Sequence, residues 1–328
     1  MQSIEKRALY NLLRMNWLSD PQLMVEPWQV EDYRLLSLSE LFDRLNHLAI
    51  NLNKESFQTH ADFYDSPESL TEHLIGDRTL RAQEEDKIYL AVFELWRQLV
   101  TEKPSISIFC DELDHLIFLY DHDQLQNFTL LHDALANLLV ILDENVDEGL
   151  EPKEAFELIS NYCANDLQTF LYDFIAEQID DENESYAQEL LDDFDPYLGK
   201  DKWFAFLRVR LVSHSNPRTA HRLLTQLIEE YEEAADLEFN LEVLSFMTEI
   251  GNPELFNELA SQTLLLLKTE EDLQDFLAIC ADYYHRLDNE VQEKIFQELI
   301  QKRNAKPKHK AVYANDSDVK HLMTLLKS

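Results

Sequence analysis

The chain has 328 residues, of which 64 are acidic and 28 are Lys or Arg, so its formal net charge is −36. Such a negative field repels the phosphates of nucleic acids and anionic lipid surfaces, and it favours basic partners. Only four residues are Gly, too few for glycine-rich phosphate loops, dinucleotide-binding fingerprints or a series of tight β-hairpins. Because 45% of the residues are hydrophobic, we expect an ordered protein and not an acidic disordered tail.

The cysteines and the N-terminus bear on the cellular compartment. Cys110, Cys163 and Cys280 lie far apart along the chain and include no Cys-x-x-Cys pair, so no disulfide framework is predicted, which is typical of a reducing compartment. The first helix contains Lys6 and Arg7, and its polar residues interrupt any apolar core, so no signal peptide is predicted. No run approaches the roughly 20 apolar residues that a membrane span needs. We therefore expect a cytoplasmic protein.

Residues 1–125 are predicted to form a helical N-terminal region. An amphipathic helix is expected at 3–18, and a longer one at 79–100. The motif Ser37–Glu40 predicts a capping box, in which Ser caps a helix and the Glu three residues later reaches back. No stretch shows the period of two that is typical of a strand, so the fold class is predicted to be all-α. The polar stretch 121–127 is the predicted domain boundary.

Residues 126–301 are predicted to form a helical-repeat domain. Three turn signals recur at a spacing of 36 residues: Asn216-Pro217, Asn252-Pro253 and Asp288-Asn289. Asn or Asp caps the first turn of a helix, and Pro at the next position loses nothing, because its missing N–H would have been unpaired. Apolar residues recur at the same spacing. In the first, or leading, helix of each pair they are Leu207, Val243 and Ile279. In the second, or trailing, helix they are Leu223, Leu259 and Ile295.

Helix pairs that repeat about every 30–45 residues are typical of α-solenoids, in which each unit buries its apolar face on its neighbours. We therefore predict a helical-hairpin repeat that is similar to tetratricopeptide proteins in architecture. The residue pattern of tetratricopeptide repeats is absent, so the similarity does not extend to a family. A generic helical bundle is the alternative.

The basic residues 302–328 are predicted to form a flexible tail that ends in a short helix near 319–327. Its cationic part either folds back on the acidic region 143–195 or stays solvated.

Three patterns were candidates for metal chemistry. Glu112 and His115 form a Glu-x-x-His motif on one helix face, but a di-iron bundle needs a second such motif and two further Glu residues. His132-Asp133 is weakly similar to the ligand pair of HD hydrolases, without the glycine-bearing turn that should follow it. The acidic runs 180–184 and 192–195 resemble Asp-rich magnesium motifs but fall at predicted helix ends, where carboxylates cap the helix or are solvated. We expect no metal, no cofactor and no catalytic activity.

The predicted repeat and the lack of a catalytic set favour a non-catalytic protein–protein interaction module, such as an adaptor, scaffold or chaperone. Solenoids expose a concave groove that suits peptides and helices. The side of the leading helices opposite the core should face this groove, and aromatic and charged residues concentrate binding energy. The predicted partner-binding residues are Phe206, Arg210, Phe246 and Glu249. We expect the partner to be a protein or peptide of basic character, and neither a nucleic acid nor a membrane.

Two alternatives belong to other functional classes. One is an all-helical metal-dependent hydrolase that uses His115, His132 and Asp133. The other is an acidic mimic of nucleic acid that occupies the binding site of a basic protein. A salt series on partner binding separates the mimic from the other classes, because an interaction carried by charge weakens steeply as salt screens it.

Overall fold

The computed structural model of the protein describes residues 4–231, 236–250 and 252–327. Within these ranges the chain forms 18 α-helices, one 3-10 turn and no β-strand, and an isolated bridge joins Thr269 to Ala311. The prediction of an all-α fold is confirmed. None of the described helices is both long enough and apolar enough to cross a lipid bilayer.

The chain divides into two compact units. The first comprises Met1–Leu171 with Pro196–Leu198, and the second comprises Tyr172–Asp195 with Gly199–Ser328. The division falls inside a helix, and the boundary predicted at 125/126 lies within the first unit.

The first unit contains the helices α1 (Lys6–Ser19), α2 (Pro27–Val30), α3 (Leu38–His47), α4 (Lys54–Ala61), α5 (Pro67–Ile75), α6 (Ala82–Leu99), α7 (Ile106–Asp121), α8 (Thr129–Asp147) and α9 (Pro152–Ser160), with the 3-10 turn at Tyr33–Leu35. Helix α10 (Leu167–Asp180) begins in this unit and ends in the second. The predicted capping box is present: Ser37 Oγ accepts a hydrogen bond from the Glu40 N–H, and the Glu40 carboxylate accepts one from the Ser37 N–H.

Helix α6 forms the centre of the first unit. Every residue of the stretch 88–96 is buried, and α3, α4 and α5 pack against this helix. A helix that is apolar on all sides belongs in a protein interior. Glu94 is the one charged residue in this stretch, and its carboxylate is neutralised by Arg97 at 2.5 Å.

The second unit contains α11 (Glu184–Leu198), α12 (Lys202–Ser215), α13 (Pro217–Tyr231), α14 (Leu237–Ile250), α15 (Pro253–Thr263), α16 (Glu270–Arg286), α17 (Glu290–Arg303) and α18 (Ser317–Leu326). The last three residues of α11 group with the first unit. Helices α12/α13, α14/α15 and α16/α17 pack as pairs, and the leading helices α12, α14 and α16 contact one another in that order. This is the arrangement expected of successive helical hairpins.

The cap signals act locally as predicted, with one shift. Asn216 Oδ1 accepts from the Thr219 N–H at 3.1 Å, and Asn252 Oδ1 accepts from the Glu254 N–H at 2.9 Å. In the third pair the cap is Asn289 and not the predicted Asp288, which has a φ of 54°. The trailing helices begin 36 and 37 residues apart but the leading helices 35 and 33, so the spacing of 36 describes the trailing helices better.

The C-terminal segment differs from the predicted flexible tail. Lys302 and Arg303 still belong to α17, and the apolar side of α18 joins the hydrophobic core of the second unit through Val319, Leu322 and Leu326. Lys302, Arg303 and Lys308 of this segment pair with carboxylates of α16 and of the start of α18, and these carboxylates lie outside the predicted region 143–195. The short terminal helix is where the sequence places it.

Candidate partner-binding surface

The two predicted aromatic anchors lie in the interface between leading helices. The rings of Phe206 and Phe246 meet edge to face with centroids 5.3 Å apart, and Phe206 also meets Phe239 at 6.0 Å. Phe206 is 0% exposed, and Phe246 is half-buried against the same core. The expectation that Phe206 is exposed to a groove is therefore wrong. The physical reason is that α14 covers the side of α12 that the sequence pattern assigned to solvent.

The two predicted charged residues are engaged within the second unit. Arg210 Nη2 donates to Asp180 Oδ1 at 2.6 Å. Glu249 lies 3.9 Å from Arg286 Nη1, with both side chains about half-exposed. The four predicted residues thus do not form one open surface, and contact with a partner stays a prediction for Phe246 and Glu249.

The acidic runs that resembled magnesium motifs contain the ion-pair partners of α12. Besides the contact of Asp180 with Arg210, Asp192 and Asp195 lie 2.8 and 2.9 Å from the guanidinium of Arg208. Arg208 and Arg210 therefore hold α12 to acidic residues of α10 and α11.

The candidate metal ligands are not assembled. Glu112 accepts hydrogen bonds from Arg34 and Arg97 at 3.0 and 3.3 Å. Burial, together with the nearby charge of Arg34, lowers the pKa of His115, and Asp133 is exposed on α8. Within the ranges that the structure covers, no three His, Cys, Asp or Glu side chains are arranged to hold a metal ion.

A groove that the sequence pattern did not predict runs between α15 and α18. Leu265, two residues after α15, lines it and is 68% exposed. Met323 and Leu326 of α18 form the opposite wall, and the exposed carboxylates of Glu254 and Glu258 line the same groove from α15. The groove therefore combines an apolar floor with an acidic rim.

The sequence of α15 explains this composition. Leu255, Phe256 and Leu259 are buried on one face of the helix. The opposite face carries Glu254 and Glu258. Leu265 lies about two helical turns after Glu258 and continues this face beyond the helix end. A single turn cannot bury all four residues of the run Leu264–Leu267, and this run is the signal in the sequence that could have revealed an exposed leucine.

Leu265 also borders a second depression. Its lining is largely apolar and comes from α13, α14 and α15, with Ile228, Phe239 and Leu259 among the buried residues. The exposed leucine thus lies between two concave, mainly apolar surfaces, which makes this region the candidate site for a protein partner. Comparison with protein-family models, curated proteins and solved structures gave no match to this chain, so its function has to be argued from this surface.

Proposed function

We propose that this protein is a cytoplasmic, non-catalytic helical-repeat module that binds a basic amphipathic helix of another protein in the groove between α15 and α18. The observation that carries the proposal is Leu265, which is 68% exposed beside the apolar wall of Met323 and Leu326 and the exposed carboxylates of Glu254 and Glu258. An adaptor, scaffold or chaperone role follows from such a site.

The apolar floor supplies affinity. Burying a Leu side chain completely is worth about 1.5–3 kcal/mol relative to leaving it exposed, and a partner that covers Leu265 gains part of this. Helices that dock into grooves present apolar residues three or four positions apart. Leu265 and the half-buried Met323 offer the exposed apolar part of such a surface, with the buried Leu326 beside them.

The acidic rim indicates that the partner segment is positively charged. Glu254 and Glu258 lie on α15, and the chain as a whole carries a formal charge of −36, so a basic segment is attracted from a distance and an acidic one is repelled. Lys327 also lines the groove, at the end of α18. A basic helix therefore fits best when its charges lie over α15.

The apolar lining distinguishes this proposal from mimicry of nucleic acid. A mimic needs carboxylates that stand in for phosphates, and an exposed leucine beside a methionine and a second leucine has no counterpart in a phosphate backbone. The hydrolase alternative has no assembled ligand set in the described ranges.

We expect Leu265→Ser to weaken binding of a designed helical peptide, with a Leu stripe and Lys on its flanks, by about tenfold, because the variant removes a central apolar contact. Fluorescence anisotropy of the labelled peptide measures the Kd. Val291→Ser is the matched control, since Val291 is an exposed apolar residue of α17 in the same unit. Equal Kd values for wild type and Leu265→Ser would refute the proposed site. Similar losses in both variants would show that the peptide binds non-specifically.

The pair Glu254→Gln with Glu258→Gln should slow association and flatten its dependence on salt, because charges at a rim act mainly on the rate of encounter. Glu290→Gln with Glu298→Gln on α17 changes the net charge equally and should have a smaller effect. Stopped-flow association of the same peptide across a salt series gives both quantities. Identical salt slopes for the two double variants would show that only the overall charge matters.

A further inference from the structure

The depression that Leu265 borders is a cavity of about 220 Å³ between α13, α14 and α15. Four of its lining residues are buried members of the second unit's core: Ile228, Phe239, Val243 and Leu259. None of the described residues that line the cavity is charged. In a chain with 64 acidic residues, this cavity is therefore an uncharged and mainly apolar site.

Contacts outside the cavity hold its lining in place. The ring of Phe239 meets the rings of Trp203 and Phe206 edge to face, with centroids 5.1 and 6.0 Å away. Tyr231, a half-buried residue of the lining, donates its hydroxyl hydrogen to the carbonyl oxygen of Lys200 at 2.9 Å. The cavity is therefore formed before a ligand enters it, as binding sites for small molecules usually are.

Asn240 places a polar group in this apolar lining. It is half-buried on α14, next to Phe239. Its side-chain amide makes no hydrogen bond within the part of the chain that the structure describes, and Gln262 contributes the other amide of the lining. An amide offers donors as well as an acceptor, so Asn240 can recognise one hydroxyl or N–H group of a ligand.

We propose that the cavity binds a neutral, mainly apolar small molecule of about ten non-hydrogen atoms, with one hydrogen-bonding group that faces Asn240. The size follows from the volume. An apolar cavity of about 150 Å³ holds benzene, so 220 Å³ has room for two fused rings. The charge follows from the lining, which offers no counter-charge to an ionised ligand, and the negative field of the chain disfavours an anion further.

This site differs from the groove between α15 and α18. The described lining of the cavity contains no residue of α18, whereas Met323 and Leu326 of that helix line the groove. Leu265 borders both surfaces and cannot distinguish them. A test of the cavity therefore uses residues that line one surface and not the other.

The probe is 2-naphthol, which has two fused rings, one hydroxyl and no charge at neutral pH. Titration of the full-length protein, followed by the fluorescence of the naphthalene group, should show saturable binding with a Kd below about 1 mM. The anion 2-naphthoate has the same fused rings and should bind about tenfold more weakly or not at all.

Two substitutions test the role of the amide. Asn240→Leu should weaken binding of 2-naphthol about fivefold or more, but it should not weaken binding of naphthalene, which has no hydroxyl. Gln297→Leu removes an exposed amide of α17, outside the cavity, and should change neither affinity. Circular dichroism shows whether each variant is folded.

Two further substitutions locate the ligand. Leu266→Trp enlarges a half-buried side chain of the lining and should abolish binding by filling the cavity. Met323→Ser alters only the groove and should leave the Kd of 2-naphthol unchanged.

The proposal is overturned if 2-naphthol shows no saturable binding to the wild type, or if 2-naphthoate binds as tightly. It is also overturned if Asn240→Leu and Gln297→Leu bind 2-naphthol equally well, or if Met323→Ser alone loses the ligand. The wild-type comparison of 2-naphthol with 2-naphthoate decides the matter even if a variant fails to fold.

Discussion

Replacing Arg303 by Leu is expected to lower the free energy of unfolding by about 3–5 kcal/mol, because it removes the main partner of the buried carboxylate of Glu270. Arg303 is 2% exposed. Its Nε and Nη2 donate to the two oxygens of Glu270 at 2.6 and 2.7 Å, and its Nη1 donates to Asp318 at 2.8 Å. Glu270 is itself buried, and without Arg303 its carboxylate keeps only the Lys306 ammonium, 3.9 Å away.

The effect should extend to the C-terminal segment. The backbone of this segment completes the start of α16: the Glu270 N–H donates to the Lys310 carbonyl at 2.8 Å, and the Glu271 N–H donates to the Lys308 carbonyl at 3.0 Å. These are N–H groups that a helix start leaves without an intrahelical partner. Arg303 thus joins the end of α17, the start of α16 and the start of α18. Its loss should also weaken peptide binding, since α18 forms one wall of the proposed groove.

Chemical unfolding followed by circular dichroism measures the change in stability. Lys302→Met is the matched control: Lys302 pairs with the same Asp318, but its side chain is 59% exposed, so a loss of at most about 1 kcal/mol is expected. The double change Arg303→Leu with Glu270→Leu should recover part of the stability, because it leaves no buried charge unpaired at Glu270. If Arg303→Leu were as stable as Lys302→Met, the buried cluster would not stabilise the second unit.

The same cluster gives a dependence on pH. Burial alone would raise the pKa of Asp318, but hydrogen bonds from Lys302 and Arg303 hold it below its ordinary value. A depressed folded-state pKa adds stability above the unfolded-state pKa of about 3.9, and this stability is lost as the pH falls through the folded-state value. The difference in stability between wild type and Arg303→Leu should therefore be constant near neutral pH and narrow below about pH 4.

A second large effect is expected in the first unit. Asp111 is 2% exposed, and its carboxylate accepts hydrogen bonds from Arg7 Nε at 2.5 Å, from Asn11 Nδ2 at 2.9 Å and from Arg34. It therefore fixes α1 and the 3-10 turn onto α7. We expect Asp111→Ala to cost about 3–5 kcal/mol, since the buried guanidinium of Arg7 would lose its counter-charge.

Glu112→Ala is the matched control for this change. Glu112 neighbours Asp111 on α7 and pairs with the same Arg34, but its side chain is 41% exposed, so the expected cost is about 1 kcal/mol or less. Thermal unfolding followed by circular dichroism compares the two variants, and hydrogen exchange shows whether α1 opens in Asp111→Ala. Equal losses of stability in the two variants would mean that burial does not increase the contribution of the ion pair to stability.

Local interactions determined the parts of the fold that the sequence predicts. The capping box at Ser37–Glu40 and the caps at Asn216 and Asn252 join atoms within three residues of one another, and helical periodicity links residues three or four apart. The all-α class and the helix pairs therefore follow from short stretches of chain. Even here the third cap shifted by one residue, to Asn289, because neighbouring Asp and Asn residues can both accept from a helix start.

Contacts between residues distant in sequence decided the rest. The burial of Phe206 depends on α14, and the position of the C-terminal segment depends on Arg303 and Glu270. Leu265 is exposed because its neighbours in the same run are used to fill the core. The physical reason is common to all of these. A side chain's helical face follows from its own sequence, but whether another helix covers that face follows only from the packing of the whole unit.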